Sequence, residues 1–512
     1  MTVFGIDLGT TYSCISYLDE VGRPTIVPLT TEELPTLPSV VYFEAADRTV
    51  VGSAAKDMAA LRPGLVVSRI KREIGREYET AEIHGQRFAP HEVSRFVLEK
   101  LAEEARIFTG GPVEDVVITV PAYFGAGERL ATKRAGELAG LNVIDIVSEP
   151  VAAAIDYGVI NADRDIDILV YDLGGGTFDT TVISLRDGDI TVVCTDGDHS
   201  LGGIDWDQRL VEHFVEVFGR QHPDAGDPLE DPETEQSLYQ LAEDVKRKLT
   251  AGSEVLKRFT HDVHRADITL TRTDFTELTA DLLDRTVEIA RRTLDLAKER
   301  GVGQVDEILL VGGSTKMPAV AARIQEEFGI TARLHDPDLA VAKGAARYAF
   351  EETYRNALRA GDKSTAKRLA LDAGLSAAQE VSIAKRSIRT VASRGFGIKV
   401  TDPSTRLSSV SHMIHSNDPL PASVTEEFGT LEDDQRGIHV VVFEQAGIRE
   451  SDELENNTQI ADGHIPIPAG KRAGWPIEVS FALSTSGLLE IAAIEQETGE
   501  RLELSVECAW ER

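Results

Sequence analysis

The feature that most constrains this chain is a motif it uses twice. FGIDLGTTYSCISYL at 4–18 and LVYDLGGGTFDTTVISL at 169–185 share one plan: an apolar run, Asp-Leu-Gly, a turn of small residues, and a second β-rich run. Their aspartates, Asp7 and Asp172, stand 165 residues apart. A period that long is the size of a domain rather than of a solenoid unit, so it predicts two similar α/β lobes and not a repeat array. A third glycine turn follows an apolar run at 308–318, ILLVGGSTKMP.

Between these landmarks, strand and helix signals alternate. Residues 3–8 and 12–18 read as strands around Gly9-Thr10-Thr11. Val93, Phe96, Val97, Leu101 and Ala105 fall on one helical face over 91–108. Residues 113–121 read as a buried strand and 125–140 as a helix ending at Gly140. The stretch 230–300 is helical and charged, with a β-like insert near 266–272. The lobes are expected to finish near Phe350, giving a first domain over 1–350. A basic helical segment over 351–394 follows, carrying Arg355, Arg359, Lys363, Lys367, Arg368, Lys385, Arg386 and Arg389. Within it Ser376 and Gln379 fit a capping box that starts its last helix. From 395 to 512, runs such as 438–445, 477–483 and 488–494 alternate with Gly, Pro, Asn and Asp turns, which predicts an antiparallel β-domain.

Charge narrows the partners. With 53 Lys and Arg against 86 Asp and Glu, the formal charge is −33. A polyanion repels phosphate backbones and anionic lipid, so neither a nucleic acid nor a membrane is an expected partner. Cys14, Cys194 and Cys508 are far apart and form no CxxC, which argues against a disulfide framework or a thiolate metal site. The N-terminus lacks a basic region before an apolar core, and no apolar run approaches a membrane span. A cytoplasmic location is expected.

The glycine turns point to phosphate. Glycine has no Cβ, so a strand–Asp–Gly–Thr turn lets backbone N–H groups approach phosphate oxygens closely, and threonine hydroxyls add donors. The aspartates repel phosphate but suit waters around Mg²⁺. Either loop alone is equally well read as a plain glycine hairpin. Two matching loops plus GGST favour the phosphate reading. Neither GxxxxGK[ST] nor a strand-following GxGxxG is present, which excludes the P-loop and dinucleotide readings.

In order along the chain, GIDLGTTYSCI, ITVPAYF, GLNVIDIVSEPVAAAIDYG, DLGGGTFDTTV, LGGIDWDQRLVEHF and ILLVGGSTKMP resemble the ATPase domain of the seventy-kilodalton heat-shock chaperone family. That domain belongs to the actin and sugar-kinase superfamily. DDQRGIHVVVFEQ, IPIPAG and PIEVSFALSTSGLLEIAAIEQETG resemble, more weakly, the family's β-sandwich peptide-binding domain. The resemblance implies ATP or ADP and Mg²⁺ as cofactors. Gly9, Thr10, Thr11 and Tyr12 from one lobe and Gly174, Gly175, Gly176 and Thr177 from the other are implied to hold the phosphates, with Gly202 and Gly203 beside them. Asp7, Asp172 and Asp179 are implied to organise Mg²⁺ and its waters. IKREIGR gives Lys71 as the residue that orients the attacking water, with Glu149 helping to place it; Asp7, Asp172 and Thr177 complete the implied catalytic set. The plain alternative for Lys71, as for Arg69 and Arg72, is a solvated surface side chain. The adenosine end falls to Glu243, Lys246, Arg247 and Thr250, faced by Gly312, Gly313, Ser314 and Asp338. Lys316 stands where the family typically stacks an arginine, and lysine lacks that planar group. Pro121 and Arg129 match an interdomain relay, and Ile438 with Val440 match peptide contacts.

The family pattern is broken in three places. SIRTVASRG (387–395) replaces a leucine-rich linker, leaving two readings for the basic segment: electrostatic docking on the acidic lobes, or a solvated spacer. No helical lid is expected after the β-domain. Segment 77–90 is shorter than its counterpart. The implied function is an ATP-hydrolysing chaperone binding exposed apolar peptide segments, with a co-chaperone and an exchange factor as further partners. The alternative is an ATP-gated regulatory protein with one dedicated partner. A small-molecule kinase fits least, having no use for the β-domain.

Overall fold

The duplicated motif folds as two antiparallel hairpins of one kind. Phe4–Asp7 pairs with Tyr12–Leu18, setting Asp7 opposite Cys14; Ile166–Leu173 pairs with Phe178–Arg186, setting Asp172 opposite Asp179. This is a computed structural model that describes residues 2–160, 165–447 and 449–506. Each hairpin sits in a sheet of the same order. In the first, Pro24–Ile26, Tyr12–Leu18 and Phe4–Asp7 form a meander, and Asp115–Val120 then Asn142–Ser148 are added in parallel. In the second, Asp189–Asp198, Phe178–Arg186 and Ile166–Leu173 form the meander, and Glu307–Val311 then Ala332–Leu334 are the parallel additions. Parallel neighbours need crossovers. The helices Pro90–Thr109 and Ala126–Leu138 supply them in the first sheet, and Pro318–Phe328 supplies the last in the second.

The helical stripe expected over 91–108 is buried at Val93, Val97, Leu101 and Ala105. The β-like insert is larger than its sequence signal. It is a hairpin of Glu254–His261 and His264–Thr271, whose first strand alternates buried Val255, Phe259 and His261 with exposed Leu256, Arg258 and Thr260. Exposed Leu256 next to buried Val255 hides that period of two.

The helix Ala340–Arg359 packs against both Phe4–Asp7 and the helix Glu149–Ile160. Its approach to the second of these is set by Gly344, where a Cβ would collide with the backbone carbonyl of Ala152.

Neither reading of the basic segment holds as stated: it is no solvated spacer, and it docks by apolar burial rather than by charge. The helices Lys363–Asp372 and Ala377–Lys385 bury Ala366, Leu369, Ala370, Ala373 and Ile383 in the same cluster as Ile168, Val170 and Ile190. Burying a Leu or Ile side chain contributes ~1.5–3 kcal/mol, whereas an exposed ion pair gives about 1 kcal/mol or less. Apolar packing therefore dominates, with Arg386 Nη1 on Glu351 Oε1 at 2.8 Å beside it. The capping box forms as read: Gln379 N–H donates to Ser376 Oγ at 3.3 Å, and Ser376 N–H to Gln379 Oε1 at 2.9 Å. Beyond it, Ile388–Arg389 adds a short parallel strand to Asp189–Asp198.

The C-terminal part is β-rich. One four-stranded antiparallel sheet runs Ser408–Ile414, Phe396–Thr401, Gly437–Gln445, Asn457–Pro466; the other runs Ala422–Gly429, Pro476–Leu483, Leu489–Glu495, Arg501–Ser505. Val442 and Ile398 from the first share a core with Phe481 and Ile491 from the second, and Ala126 joins it from the helix Ala126–Leu138. Cys14 and Cys194 are buried free thiols, and Cys508 lies outside the described residues. Among those residues no helix is long and apolar enough to cross a membrane.

Gly344→Ala tests the helix crossing. Alanine in a helix interior ordinarily gains about 1 kcal/mol over glycine, but overpacking against rigid backbone costs about 1–3 kcal/mol. The collision here is with a main-chain carbonyl, so the midpoint of thermal unfolding should fall. A rise would contradict the packing described.

Candidate functional site

The two hairpin turns face each other across one cavity of ≈470 Å³. Their approach is so close that a Cβ on Gly176 would lie 2.6 Å from Thr10 Cγ2, and one on Gly175 would lie 2.7 Å from Thr11 Cγ2. Only glycine lets the second turn seat against the first. The turns are also braced from outside. Gly9 N–H donates to Ser13 Oγ at 3.1 Å, and Ser39 Oγ to the Gly9 carbonyl at 2.8 Å. On the other side the Gly174 carbonyl accepts from Gly203 N–H at 3.0 Å and from Ser314 Oγ at 2.9 Å.

The cavity is floored by carboxylates around a single buried lysine. Lys71 sits on the short turn Ile70–Glu73, behind Arg69 in a left-handed conformation (φ 60). It is 5% exposed, not a solvated surface residue, and its Nζ donates to Glu149 Oε1 at 2.7 Å. Glu149 opens the helix Glu149–Ile160, where the helix dipole favours negative charge. Asp7 and Asp172 line the floor, and Thr119 Oγ1 donates to Asp7 Oδ1 at 3.1 Å. Asp179 lies one layer back and accepts from Tyr123 N–H at 3.0 Å. Burial, then the charge of Glu149, pushes Asp7 up to about 7 and Asp179 up to about 8, and holds Asp172 well above the usual carboxylate range. Among the described residues no three His, Cys, Asp or Glu groups are placed to ligate one ion directly. The charge of a cation placed among these carboxylates would relieve their crowding.

Nearly all the residues singled out from sequence border this cavity: Gly9, Thr10, Thr11, Tyr12, Gly174, Gly175, Thr177 and Gly203 around the turns, and Glu243, Lys246, Arg247, Thr250, Gly312, Gly313, Ser314, Lys316 and Asp338 at the far end. Gly176 and Gly202 are not among the lining residues; Gly202 packs on the Gly176 backbone, and Gly176 on the Thr10 side chain. Several of the far-end side chains are already engaged. Lys246 Nζ donates to the Gly203 carbonyl and pairs with Asp207, both at 2.7 Å. Thr250 Oγ1 turns back to the Lys246 carbonyl at 3.0 Å. Lys316 pairs with Asp338.

Two clamps were not legible in the sequence. At the mouth, Tyr12 Oη donates to Glu243 Oε1 at 2.8 Å, and Lys56 pairs with the same carboxylate while donating to Tyr12 Oη at 2.9 Å. Burial alone would raise Glu243, but Lys56, Arg247 and Tyr12 overcome it and hold the carboxyl at about 2. Lys56, on the helix Ser53–Met58, belongs to no motif. Deeper in, Arg72 donates from Nη2 to Asp205 Oδ2 at 2.5 Å and from Nε to the Gly176 carbonyl at 3.0 Å, so it too is no free surface residue. Both partners lie inside motifs quoted for other residues.

Four residues fall elsewhere. Pro121 follows the strand Asp115–Val120, and its carbonyl accepts from Phe124 N–H at 3.2 Å. Arg129 is buried, which lowers it to about 10. It donates to the carbonyls of Phe124 (2.9 Å), Ala122 (3.3 Å) and Ser486 (3.2 Å), the last on the C-terminal sheets. Val440 is buried in the C-terminal core, and Ile438 is half-buried against it.

Comparison with known proteins was made against this geometry. A family model described as Hsp70 protein matches residues 3–87, 80–350 and 362–510. The Chaperone protein DnaK of Deinococcus deserti is 35% identical over 533 residues, covering 98% of this chain and 78% of that protein. The protein of the same name from Deinococcus radiodurans is 34% identical over the same shares. With the match spanning both the hairpin-bearing sheets and the C-terminal ones, the chain belongs to the Hsp70 family.

Proposed function

We propose that this chain is an ATP-dependent molecular chaperone: it hydrolyses ATP between the paired glycine turns and binds extended apolar polypeptide segments through its C-terminal sheets. The observation that carries this reading is the pair of turns closing on a cavity whose floor holds the Lys71–Glu149 pair. Phosphoryl transfer needs little covalent help from a protein and is driven by positioning and charge. In this reading Gly9–Tyr12 and Gly174–Thr177 grip the phosphates. Lys71 Nζ balances charge at the γ-phosphate and, with Glu149, orients the attacking water. Asp7, Asp172 and Asp179 hold Mg²⁺ through its waters. When bound, the ion supplies neutralising charge to the phosphate oxygens. The ribose and base lie toward Glu243, Lys246, Arg247 and Thr250, with Gly312–Ser314 opposite and Lys316 engaged by Asp338 instead of stacking.

Coupling follows from contacts that start at the carboxylates. Asp179 holds the Tyr123 amide, and Tyr123 Oη donates to the Gly447 carbonyl at 3.3 Å. Ala126 N–H donates to Glu444 Oε1 at 2.9 Å, and Arg129 reaches Ser486. Pro121 and Arg129 are the proposed relay. Ile438 and Val440 are the proposed peptide contacts, with half-exposed Ile438 the more accessible. The same reading makes 1–350 a two-lobed, actin-like and sugar-kinase-like ATPase domain, 351–394 a linker and 395–512 a β-sandwich. It also puts the protein in the cytoplasm, with a co-chaperone and an exchange factor as partners.

Turnover should rise with many unrelated unfolded peptides; stimulation by one protein alone would point to a dedicated regulator. Lys71→Ala should lower turnover about a hundredfold or more while nucleotide still binds, and unchanged turnover would refute its role. The raised carboxylates give a pH test. Below about pH 8 the folded, metal-free chain holds more protons on them than the unfolded chain, so its stability falls as pH rises through that window. Mg²⁺ uptake must expel those protons. Affinity for Mg·ADP should therefore climb from about pH 6 to about pH 8 with proton release, and Asp179→Asn should flatten the climb. An equal slope in both would contradict the assignment.

A further inference from the structure

The helix Ala126–Leu138 starts without a side chain at its N-cap, which is Gly125. The first amides of a helix have no partner within it. Glu128 reaches back to accept from Gly125 N–H at 3.1 Å, and the next amide is met from the other half of the chain. Ala126 N–H donates at 2.9 Å to Glu444 Oε1, a carboxylate on the strand Gly437–Gln445. Glycine is what admits it: a Cβ on Gly125 would lie 2.4 Å from both Glu444 oxygens. The helix is thus capped from across the seam.

As a carboxylate, Glu444 is poorly served there. It is 3% exposed, and beyond Ala126 it meets Arg394 Nη1 at 3.4 Å, longer than a well-formed charged hydrogen bond. Nη2 of the same guanidinium lies 3.4 Å from Glu128 Oε1, and its Nε is buried with no hydrogen-bond partner. One arginine is stretched between two carboxylates and seats well on neither. Arg129, the other arginine at hand, is spent on main-chain carbonyls. Tyr123 presents its ring to Arg394, 5.0 Å from the guanidinium carbon, and His199 feels the charges of Arg394 and Glu128. Opposite Glu444 on its own sheet stand Phe396 and Thr458, neither of them charged. A buried charge with so few donors is costly. A neutral carboxyl keeps an acceptor for Ala126 and leaves Arg394 to Glu128. Burial accordingly pushes Glu444 up to about 7.

We propose that this seam is a proton-operated latch: Glu444 caps the helix from the C-terminal sheet, and the two halves hold together most firmly while that carboxyl is neutral. Once the C-terminal sheets leave the helix, Glu444 meets water and returns to its ordinary value of 4.5. The docked arrangement therefore binds this proton more tightly than the separated one. The contribution of Glu444 to docking is complete below about pH 4.5 and is lost as pH rises through about 7. Arg129 and Arg394 stay charged across that window.

The test uses the full chain. Separation is followed by small-angle X-ray scattering in increasing urea, from about pH 5.5 to about pH 7.5, with circular dichroism reporting the fold. Wild type should part at lower urea as pH rises, its separation constant growing about tenfold or more over that range. Glu444→Gln keeps the acceptor for Ala126 without the charge, so it should remove that added growth and part at higher urea than wild type near neutral pH. Glu128→Gln takes away the like charge facing Glu444 and should shift the wild-type trend to lower pH. All three chains retain His199 and the buried aspartates, which titrate in the same range, so the differences between them report Glu444. If the sheets part only as the chain unfolds, the same comparison is read at the unfolding midpoint, where Glu444 is released as well. Equal pH dependence in wild type and Glu444→Gln, or easier separation of Glu444→Gln at every pH, would overturn the proposal. So would a Glu128→Gln trend that does not move.

Discussion

Everything in this molecule depends on how closely two glycine turns can approach. Gly175 and Gly176 press against Thr11 and Thr10 with no room for a side chain, so the two sheets meet across their turns with a cavity between them. Around that contact the chain has concentrated unfavourable electrostatics. Asp7, Asp172, Asp179 and Glu149 are gathered about the one ammonium of Lys71, and burial drives the aspartates toward their neutral forms. Such crowding has no structural benefit by itself. In the proposed function a cation–polyphosphate ligand would bring the missing positive charge and relieve that repulsion.

The strain is not isolated from the rest of the protein. Asp179 holds the backbone of Tyr123, and the segment 121–129 touches the C-terminal sheets through Tyr123, Ala126 and Arg129. At the same seam Arg394 lies between Glu128 and Glu444, 3.4 Å from each, and burial pushes Glu444 up to about 7. The aspartate that follows the second glycine turn is thus joined by contacts through 121–129 to a buried charge network in the C-terminal half. The helices between 363 and 385 join the core around Ile168, Val170 and Ile190 by burying Leu369 and Ile383.

Much of this was legible in the sequence because it is carried by local pattern. The repeated Asp-Leu-Gly turn pointed to two similar α/β lobes, and the spacing of Val93, Phe96, Val97, Leu101 and Ala105 on one helical face pointed to a helix. What was not legible depends on meetings between distant segments. Lys56 reaches Glu243 across 187 positions, and nothing around either residue marks the pairing. Arg72 reads as a surface neighbour of Lys71 because its partner Asp205 lies 133 positions along the chain. That 363–385 docks by apolar packing was hard to read for another reason: half of the side chains its two helices bury are alanine, a residue that signals neither core nor surface.

The most direct test of the account is a calorimetric titration of Mg·ATP onto the folded chain, beside a Gly176→Val variant of intact circular dichroism. The account predicts one nucleotide per wild-type chain and little or no uptake by the variant, whose added side chain forces the turns apart. Absence of uptake by folded wild-type protein, or undiminished uptake by the variant, would contradict it.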